Sequence, residues 1–292
     1  DHMGRELTIL GDPVPSVPGK NIYLNLDVRL QNVADEAMRG QSGAVLIMNP
    51  KTGEILGLAS YPDFDPNLFS GGIDQGNWNI LLENPEHPLE NKSIQGLYAP
   101  GSIFKVVTAY SGLEQSAMSP EDEYFCNGEF YVKGRTDPYK CWKEGGHGRV
   151  NLLNAIKGSC NVYFYNIGMG VGVDQMHKYA RMFGLGKITG IGLLNEKEGI
   201  IPSSKWKKRE YNEPWYEGEN PTMAIGQGFI IVTPLQVLNM INILANDGIW
   251  VPPKLFLKQE GPQPQRIKLK QEYLELIRKG MVAVVNEIGG TA

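Results

Sequence analysis

Residues 98–107 read Tyr-Ala-Pro-Gly-Ser-Ile-Phe-Lys-Val-Val and carry the strongest local signal in the sequence. Pro100-Gly101 interrupts the chain, and the apolar residues that follow predict a helix from near Ser102 to Leu113. Residues three apart lie on one face of a helix. The hydroxyl of Ser102 and the amine of Lys105 are therefore expected to be neighbours.

A serine and a lysine in this arrangement can carry out nucleophilic catalysis. A serine is a weak nucleophile near neutral pH unless an adjacent base takes its proton. A lysine is such a base when burial and nearby positive charge lower its pKa until the amine is neutral. The apolar pairs Ile103-Phe104 and Val106-Val107 are expected to provide that dry setting. Free N–H groups in the first helical turn also favour a developing oxyanion.

The spacing by itself is weak evidence, because a serine at a helix start is usually a cap and a lysine one turn later is usually solvated. The same pattern recurs at Ser204-Lys205-Trp206-Lys207, in a charged segment without apolar shelter. Ser102 differs because Ser159-Cys160-Asn161, the only Ser-x-Asn in the chain, lies downstream of it. The two motifs together favour a catalytic role for Ser102.

In combination, the motifs resemble the penicillin-binding-protein and serine β-lactamase superfamily, whose signature is S-x-x-K, then S-x-N, then K-[ST]-G. Residues 45–62 are similar to the first hairpin of class B penicillin-binding transpeptidases, and residues 98–102 to the approach to their nucleophile. The blocks that are similar to elongation-type members are 145–148, 159–165, 224–228 and 233–236. The resemblance covers roughly residues 20–292 and implies an elongation-type D,D-transpeptidase.

This resemblance implies a role for each motif residue. Ser102 is the nucleophile that becomes acylated by a D-Ala-D-Ala stem peptide or by a β-lactam, and Lys105 is the base that takes its proton. Ser159 relays that proton toward the leaving nitrogen, and Asn161 holds Lys105 and the substrate amide. Without Ser102, a cap at Asn161 and a helix break at Ser159 are the default interpretations.

One part of the superfamily signature is missing. No K-[ST]-G follows Ser159, and Lys51-Thr52-Gly53 lies in the turn of the first hairpin. In relatives the triplet comes shortly after a Gly-Gly-Thr-Ala block, which here is Gly289–Ala292. We therefore expect that the strand bearing this motif was cut from the chain or left out of the sequence, and that the chain alone is acylated poorly.

A second site is predicted from four residues that lie between the nucleophile and the end of the second motif. It comprises the three cysteines Cys126, Cys141 and Cys160, together with His147. Three thiolates and one imidazole form a complete tetrahedral zinc set, and some elongation-type relatives resemble this chain in placing metal-capable residues at matching positions. Zinc would be structural, tying the loop at 120–150 to the helix of the second motif. The alternative is a Cys126–Cys141 disulfide with Cys160 buried as a small hydrophobe.

The fold class is predicted to be α/β (α+β), with an antiparallel sheet flanked by helices, as in penicillin-binding transpeptidases. Asp27 caps a predicted helix, and residues 44–48 and 55–59 form a hairpin. Further helices are predicted at 151–158, 174–183, 234–246 and 271–286. Residues 61–97 are expected to be irregular, and the charged stretch 203–219 to be a solvated surface excursion.

Two domain segments are expected. The Pro- and Gly-rich start, residues 1–20, is interpreted as a linker or the remnant of an upstream pedestal domain, and 21–292 as the transpeptidase domain. The chain has 28 Lys and Arg against 32 Asp and Glu, a net charge of −4, which argues against a nucleic-acid binder. No run approaches 18 apolar residues, and His2, His87 and His177 are expected at the surface.

The resemblance also implies the biological role. The intact protein is expected to cross-link peptidoglycan stem peptides during cell elongation through a serine acyl-enzyme, and to be a target of β-lactams. Relatives are periplasmic enzymes with an inner-membrane anchor that work beside a membrane glycosyltransferase. Two alternatives share the same nucleophile or pocket: a serine β-lactamase, which needs an added base for fast deacylation, and a non-catalytic β-lactam sensor or scaffold.

Overall fold

The structure, a computed structural model, describes residues 17–292. Sixteen of the twenty residues of the predicted linker, and His2, lie outside the described residues. The helices are α1 (Val28–Ala37), α2 (Gln75–Glu83), α3 (Lys105–Glu114), α4 (Leu152–Lys157), α5 (Asn161–Val171), α6 (Val173–Met182), α7 (Ser204–Tyr211), α8 (Asn220–Ala224), α9 (Pro234–Ala245) and α10 (Gln271–Asn286). The strands are β1 (Gly43–Met48), β2 (Ile55–Tyr61), β3 (Tyr124–Cys126), β4 (Glu129–Phe130), β5 (Tyr139–Lys140), β6 (Gly148–Val150), β7 (Ile249–Trp250) and β8 (Gln265–Arg266). Short 3-10 helices cover Pro66–Phe69, Gly101–Phe104 and Glu217–Glu219.

The predicted hairpin is present as β1 and β2, which pair antiparallel from Gly43 opposite Tyr61. Its turn contains Gly53 at φ +78°, and a Cβ there would lie 2.1 Å from the carbonyl oxygen of Pro252. Only glycine fits this position, because a side chain would meet both an unfavourable φ and a backbone atom. Lys51-Thr52-Gly53 is therefore a turn, as predicted.

Mixed helix and antiparallel sheet is the fold class that the sequence predicts, and every strand pair in residues 17–292 is antiparallel. The described strands form four separate pairs rather than one sheet: β1–β2, β3–β6, β4–β5 and β7–β8. The strands of the last three pairs are only two or three residues long, so these pairs are short ladders within loops. No helix in the described part of the chain is long and apolar enough to cross a bilayer.

Helix α3 forms the centre of the core, and every residue from Lys105 to Leu113 is buried. It packs against α5, α6 and α10. The larger apolar cluster surrounds it and includes Phe104, Tyr110 and Tyr163. A smaller cluster lies under the hairpin around Ile55. The predicted helices at 151–158, 174–183, 234–246 and 271–286 are α4, α6, α9 and α10.

The predictions of irregular structure at 61–97 and of a solvated surface excursion at 203–219 were wrong. Residues 61–97 contain α2, which begins where the Asp74 carboxylate accepts the backbone N–H of Asn77 at 3.0 Å. Residues 203–219 contain α7, capped by the Ser203 hydroxyl. Lys207 of α7 is only 3% exposed and pairs with Glu219, so this segment is anchored in the protein rather than solvated throughout.

Candidate active site

Ser102 lies in the 3-10 turn Gly101–Phe104, which leads into α3. The first turn of the predicted helix is therefore a 3-10 turn rather than an α-helical one. Backbone contacts hold this turn in place: Tyr98 and Val232 exchange hydrogen bonds of 3.0 and 2.9 Å, and Gly101 donates to the carbonyl of Gly226 at 2.9 Å. A Cβ on Gly226, which has φ +73°, would lie 2.2 Å from the oxygen of Gly101. The nucleophile candidate therefore rests on a glycine that no other residue can replace without strain.

Lys105 is the first residue of α3, and it is 3% exposed. Its Nζ lies 2.8 Å from the Ser159 carbonyl oxygen, 2.8 Å from Ser159 Oγ and 2.7 Å from Asn161 Oδ1. Ser159 Oγ lies 3.0 Å from Ser102 Oγ. The structure thus brings all four predicted motif residues together, and it connects the amine to Ser102 through the Ser159 hydroxyl.

The three oxygen partners of the Lys105 amine can satisfy its ammonium form and also its neutral form. A neutral amine has two N–H donors and one lone pair. The Ser159 carbonyl and the Asn161 amide oxygen can only accept, so they take the two N–H groups. The Ser159 hydroxyl accepts from the amine and donates to Ser102 Oγ. Rotation of this hydroxyl would let it donate to the lone pair of a neutral amine and accept from Ser102 instead. The contacts therefore link Ser102 to Lys105 through the Ser159 hydroxyl.

Burial favours the neutral amine. Removal from water lowers the pKa of Lys105 from 10.5 to about 8, against the opposing charges of Cys141 and Cys160. Phe104 and Val107 are fully buried beside it, and the Phe164 ring lies 5.6 Å from Nζ. One of the four apolar residues expected to bury Lys105 does not do so. Ile103 is 46% exposed, because its side chain lies on the outer face of the 3-10 turn.

The second motif lies between α4 and α5. Ser159 has φ +49°, a conformation that non-glycine residues rarely adopt. It also separates α4 from α5, so the helix break considered at this residue is present. Asn161 is the first residue of α5, whereas its N-cap is Cys160. The Asn161 side chain therefore turns its oxygen to Lys105 instead of capping the helix.

An open cleft of about 840 Å³ gives access to these groups. Ser102, Ser159 and Asn161 line one part of it, Trp142 and Lys143 another, and Gly289–Thr291 a third. Within the described residues, no aspartate or glutamate lines the cleft. A ligand that reaches Ser102 therefore meets hydroxyl, amide, aromatic and cationic groups but no carboxylate.

The four predicted metal ligands also meet, with one donor atom from each within 4.8 Å of every other. His147 Nδ1 lies 3.7 Å from Cys126 Sγ and 3.5 Å from Cys141 Sγ. Tetrahedral zinc with ordinary Zn–S and Zn–N bonds places such S and N atoms about 3.6 Å apart. His147 Nε2 lies 3.0 Å from the Gly158 carbonyl, and a metal-binding histidine commonly donates its other N–H to a backbone oxygen in this way. The residues fit zinc.

The thiols are free in the structure, so the alternative disulfide is absent from it. Hydrogen bonding from the Cys160 thiol lowers the pKa of Cys141 to about 4. The same pairing, together with burial, raises the pKa of Cys160. The lowered pKa of Cys141 favours the thiolate form that metal binding requires.

Comparison with known proteins identifies the family. The sequence matches the profile described as penicillin binding protein transpeptidase domain over residues 43–292. The chain belongs to the penicillin-binding protein transpeptidase family. A curated relative, the peptidoglycan D,D-transpeptidase MrdA of Escherichia coli K12, is 35% identical over the whole chain, which covers 48% of the relative. The chain thus spans about half the length of the curated relatives that it matches.

Solved structures share the fold of this transpeptidase domain. Pseudomonas aeruginosa PBP2, in complex with WCK 5153, has a TM-score of 0.89 at 35% identity, over 94% of this chain and 64% of that one. Helicobacter pylori PBP2, solved in complex with MreC, has a TM-score of 0.89 at 34% identity, over 100% of this chain and 54% of that one. The predicted class B, elongation-type resemblance is confirmed at the level of these relatives.

Sequence reasoning missed two parts of the transpeptidase site. The indole N–H of Trp142 lies 3.0 Å from the Ser159 carbonyl, and Gly226 supports the turn of Ser102. A signal existed for each: Trp142 directly follows a predicted metal ligand, and Gly226 lies in a block already similar to the family. His87 is exposed as expected, whereas His177 is half-buried and its Nδ1 lies 2.9 Å from the Ile201 carbonyl.

Proposed function

We propose that this domain is the catalytic part of a peptidoglycan D,D-transpeptidase that works through an acyl-enzyme on Ser102. One observation carries the proposal: the hydrogen-bonded chain from Ser102 Oγ through Ser159 Oγ to the buried amine of Lys105 opens into a cleft. Membership of the transpeptidase family and the name of the MrdA relative support the substrate class.

The proposed reaction follows from these contacts. Ser102 Oγ attacks the carbonyl carbon of the penultimate D-Ala of a stem peptide while its proton passes through Ser159 to the neutral amine of Lys105. The tetrahedral intermediate collapses, the C–N bond to the terminal D-Ala breaks, and Ser159 returns the proton to the leaving nitrogen. An amine of a neighbouring stem peptide then attacks the ester, releases Ser102 and forms the cross-link. A β-lactam enters the first half of this sequence.

The test is covalent labelling of the full-length protein with a fluorescent penicillin, with the modified residue located by mass spectrometry. The adduct is expected on Ser102, and Ser102→Ala is expected to abolish it. Ser204→Ala is the matched control, because Ser204 has the same spacing to a lysine but bonds Asp174 instead of a catalytic group. Labelling that survives Ser102→Ala, or that maps to another residue, contradicts the proposal.

Slow deacylation distinguishes the proposed transpeptidase from a β-lactamase. Fast hydrolysis of the ester needs an added base that activates water, and no carboxylate lines the cleft within residues 17–292. The penicilloyl adduct is therefore expected to persist, with little nitrocefin turnover. Rapid turnover would favour the β-lactamase instead.

We further propose that Cys126, Cys141, His147 and Cys160 hold a structural zinc ion, which takes no part in the acyl transfer. Their mutual distances and the orientation of His147 support this assignment. Metal analysis of the purified protein is expected to find about one zinc per chain, and His147→Ala to reduce it. No zinc, with one free thiol after denaturation, would favour the Cys126–Cys141 disulfide.

The biological setting is proposed from the relatives. We place the protein in cell-wall elongation, as an extracytoplasmic domain of an inner-membrane-anchored enzyme beside a membrane glycosyltransferase. The Helicobacter pylori relative has been solved with MreC, which makes an MreC-type protein a candidate partner. Co-purification of the full-length protein with its own MreC and glycosyltransferase is the test, and retrieval of neither contradicts this placement.

A further inference from the structure

Trp142 is exposed at the cleft, and its indole N–H is bonded within the protein. Its side chain is 58% exposed at the cleft, yet its indole N–H is fully engaged. Nε1 lies 3.1 Å from the Gly158 carbonyl and 3.0 Å from the Ser159 carbonyl. Exposed side chains of a loop usually leave their donors to water, so this indole is held in one orientation by the turn before α5.

Three side chains converge on the two carbonyls of this turn. Trp142 approaches both, His147 Nε2 lies 3.0 Å from the Gly158 carbonyl, and Lys105 Nζ lies 2.8 Å from that of Ser159. The His147 and Trp142 rings are themselves in edge contact, with centroids 5.5 Å apart. Trp142 is therefore the only one of the three donors that bridges the two carbonyls.

The turn needs such support, because Ser159 has φ +49°. A non-glycine residue in that region costs about 1–3 kcal/mol and persists only where its surroundings determine it. The same conformation lets Ser159 Oγ reach Lys105 Nζ at 2.8 Å and Ser102 Oγ at 3.0 Å together. A small rotation of the Ser159 peptide would lengthen one of these contacts.

We propose that the indole N–H of Trp142 is a positioning group, which holds the Ser159 carbonyl so that the Ser159 hydroxyl stays aligned between Ser102 and Lys105. The inference rests on the proposed acyl-transfer function. The N–H and the ring of Trp142 then have different roles. The N–H controls the chemical step, whereas the exposed ring borders the ligand space.

The experiment measures acylation by a fluorescent penicillin in stopped flow, with the full-length protein, and separates the limiting rate constant from the apparent binding constant. Trp142→Phe keeps an aromatic ring and removes the donor. The limiting rate constant is expected to fall about fivefold to tenfold, the effect of one lost hydrogen bond, with the binding constant changed less than twofold. Zinc content and melting temperature are measured in each protein.

A matched control lies in the preceding loop, between β4 and β5. Tyr131 is also exposed, and its hydroxyl bonds only Glu129 Oε2 among the described residues, so Tyr131→Phe removes one hydrogen bond without touching the turn. Its rate constant is expected to equal that of the unsubstituted protein. If Trp142→Phe does not fold, replacement of Trp142 by β-(3-benzothienyl)alanine keeps the bicyclic ring and removes only the N–H.

Each outcome decides the inference. A lower rate constant at unchanged binding supports it. An unchanged rate constant overturns it, and an altered binding constant alone shows that Trp142 acts only through its ring. Absence of any adduct on Ser102 in the unsubstituted protein overturns the proposed function and this inference with it, whereas normal acylation in both Trp142 variants overturns the inference alone.

Discussion

Asn161→Asp tests whether a neutral Lys105 amine limits acylation. The substitution keeps the shape of the side chain and places a carboxylate where the amide oxygen lies, 2.7 Å from Lys105 Nζ. An opposite charge at this distance favours the ammonium form and raises a lysine pKa by about 1–3 units. Burial has lowered the pKa of Lys105 to about 8, so the variant is expected to cancel much of that shift.

The magnitude follows from the neutral fraction. With a pKa of about 8, about one tenth of the amine is neutral at pH 7. The acylation rate constant of the unsubstituted protein should therefore rise about tenfold between pH 7 and pH 9 and then level off. In Asn161→Asp, each unit by which the pKa of Lys105 rises lowers the neutral fraction of its amine at pH 7 about tenfold. The midpoint of the pH profile then moves to about pH 9 or higher.

The assay is the limiting acylation rate constant with a fluorescent penicillin from pH 6 to pH 10. Asn154→Asp is the control, because Asn154 is exposed on α4 and the change adds the same charge away from Lys105. Its profile should match that of the unsubstituted protein. Identical profiles for Asn161→Asp and the unsubstituted protein, or a midpoint near 10.5 before substitution, would refute the reasoning.

Three further predictions concern stability and support of the site. Lys207→Met removes a buried ammonium that pairs with Glu219 and lies 4.6 Å from the Tyr216 ring, and it is expected to lower the free energy of unfolding in urea by about 2 kcal/mol. Lys105 binds its proton less tightly in the folded protein, so the unfolded chain binds more protons between about pH 8 and 10.5. The free energy of unfolding should therefore rise with pH across that window, by up to about 3 kcal/mol relative to Lys105→Met. Gly226→Ala places a Cβ 2.2 Å from a backbone oxygen and is expected to slow penicillin labelling and lower the melting temperature.

Controls for these variants lie nearby. Lys205→Met changes an exposed residue of α7 and should leave unfolding in urea unaltered, so equal losses in Lys205→Met and Lys207→Met would contradict the anchoring role. Gly218→Ala meets no atom within 4 Å, and its labelling should be normal. If Lys105→Met shows the same pH dependence of stability as the unsubstituted protein, Lys105 is not the group responsible.

The sequence predicted the elements whose signals are local. The hairpin β1–β2, the cap at Asp27, and the helices α4, α6, α9 and α10 follow from periodicity, glycine and proline positions, and capping residues. It failed at 203–219, because the charged composition of α7 concealed that Lys207 is enclosed by aromatic rings from residues 215–229. Such an enclosure is tertiary, and no pattern within α7 encodes it.

The chemical groups of the site were already determined by the chain itself: a hydroxyl and an amine three residues apart, a Ser-x-Asn, and three thiols with an imidazole. Their distances were decided only by the tertiary structure, because Ser102 and Ser159 are 57 positions apart and meet only after α3 and α5 pack together. That packing links Lys105 to Ser102 through the Ser159 hydroxyl, lowers the pKa of Lys105 by burial, and joins Trp142 to the Ser159 carbonyl. Residue type fixes what a group can donate or accept, whereas distance and exclusion of water, which determine what it does, arise from contacts between segments far apart in the chain.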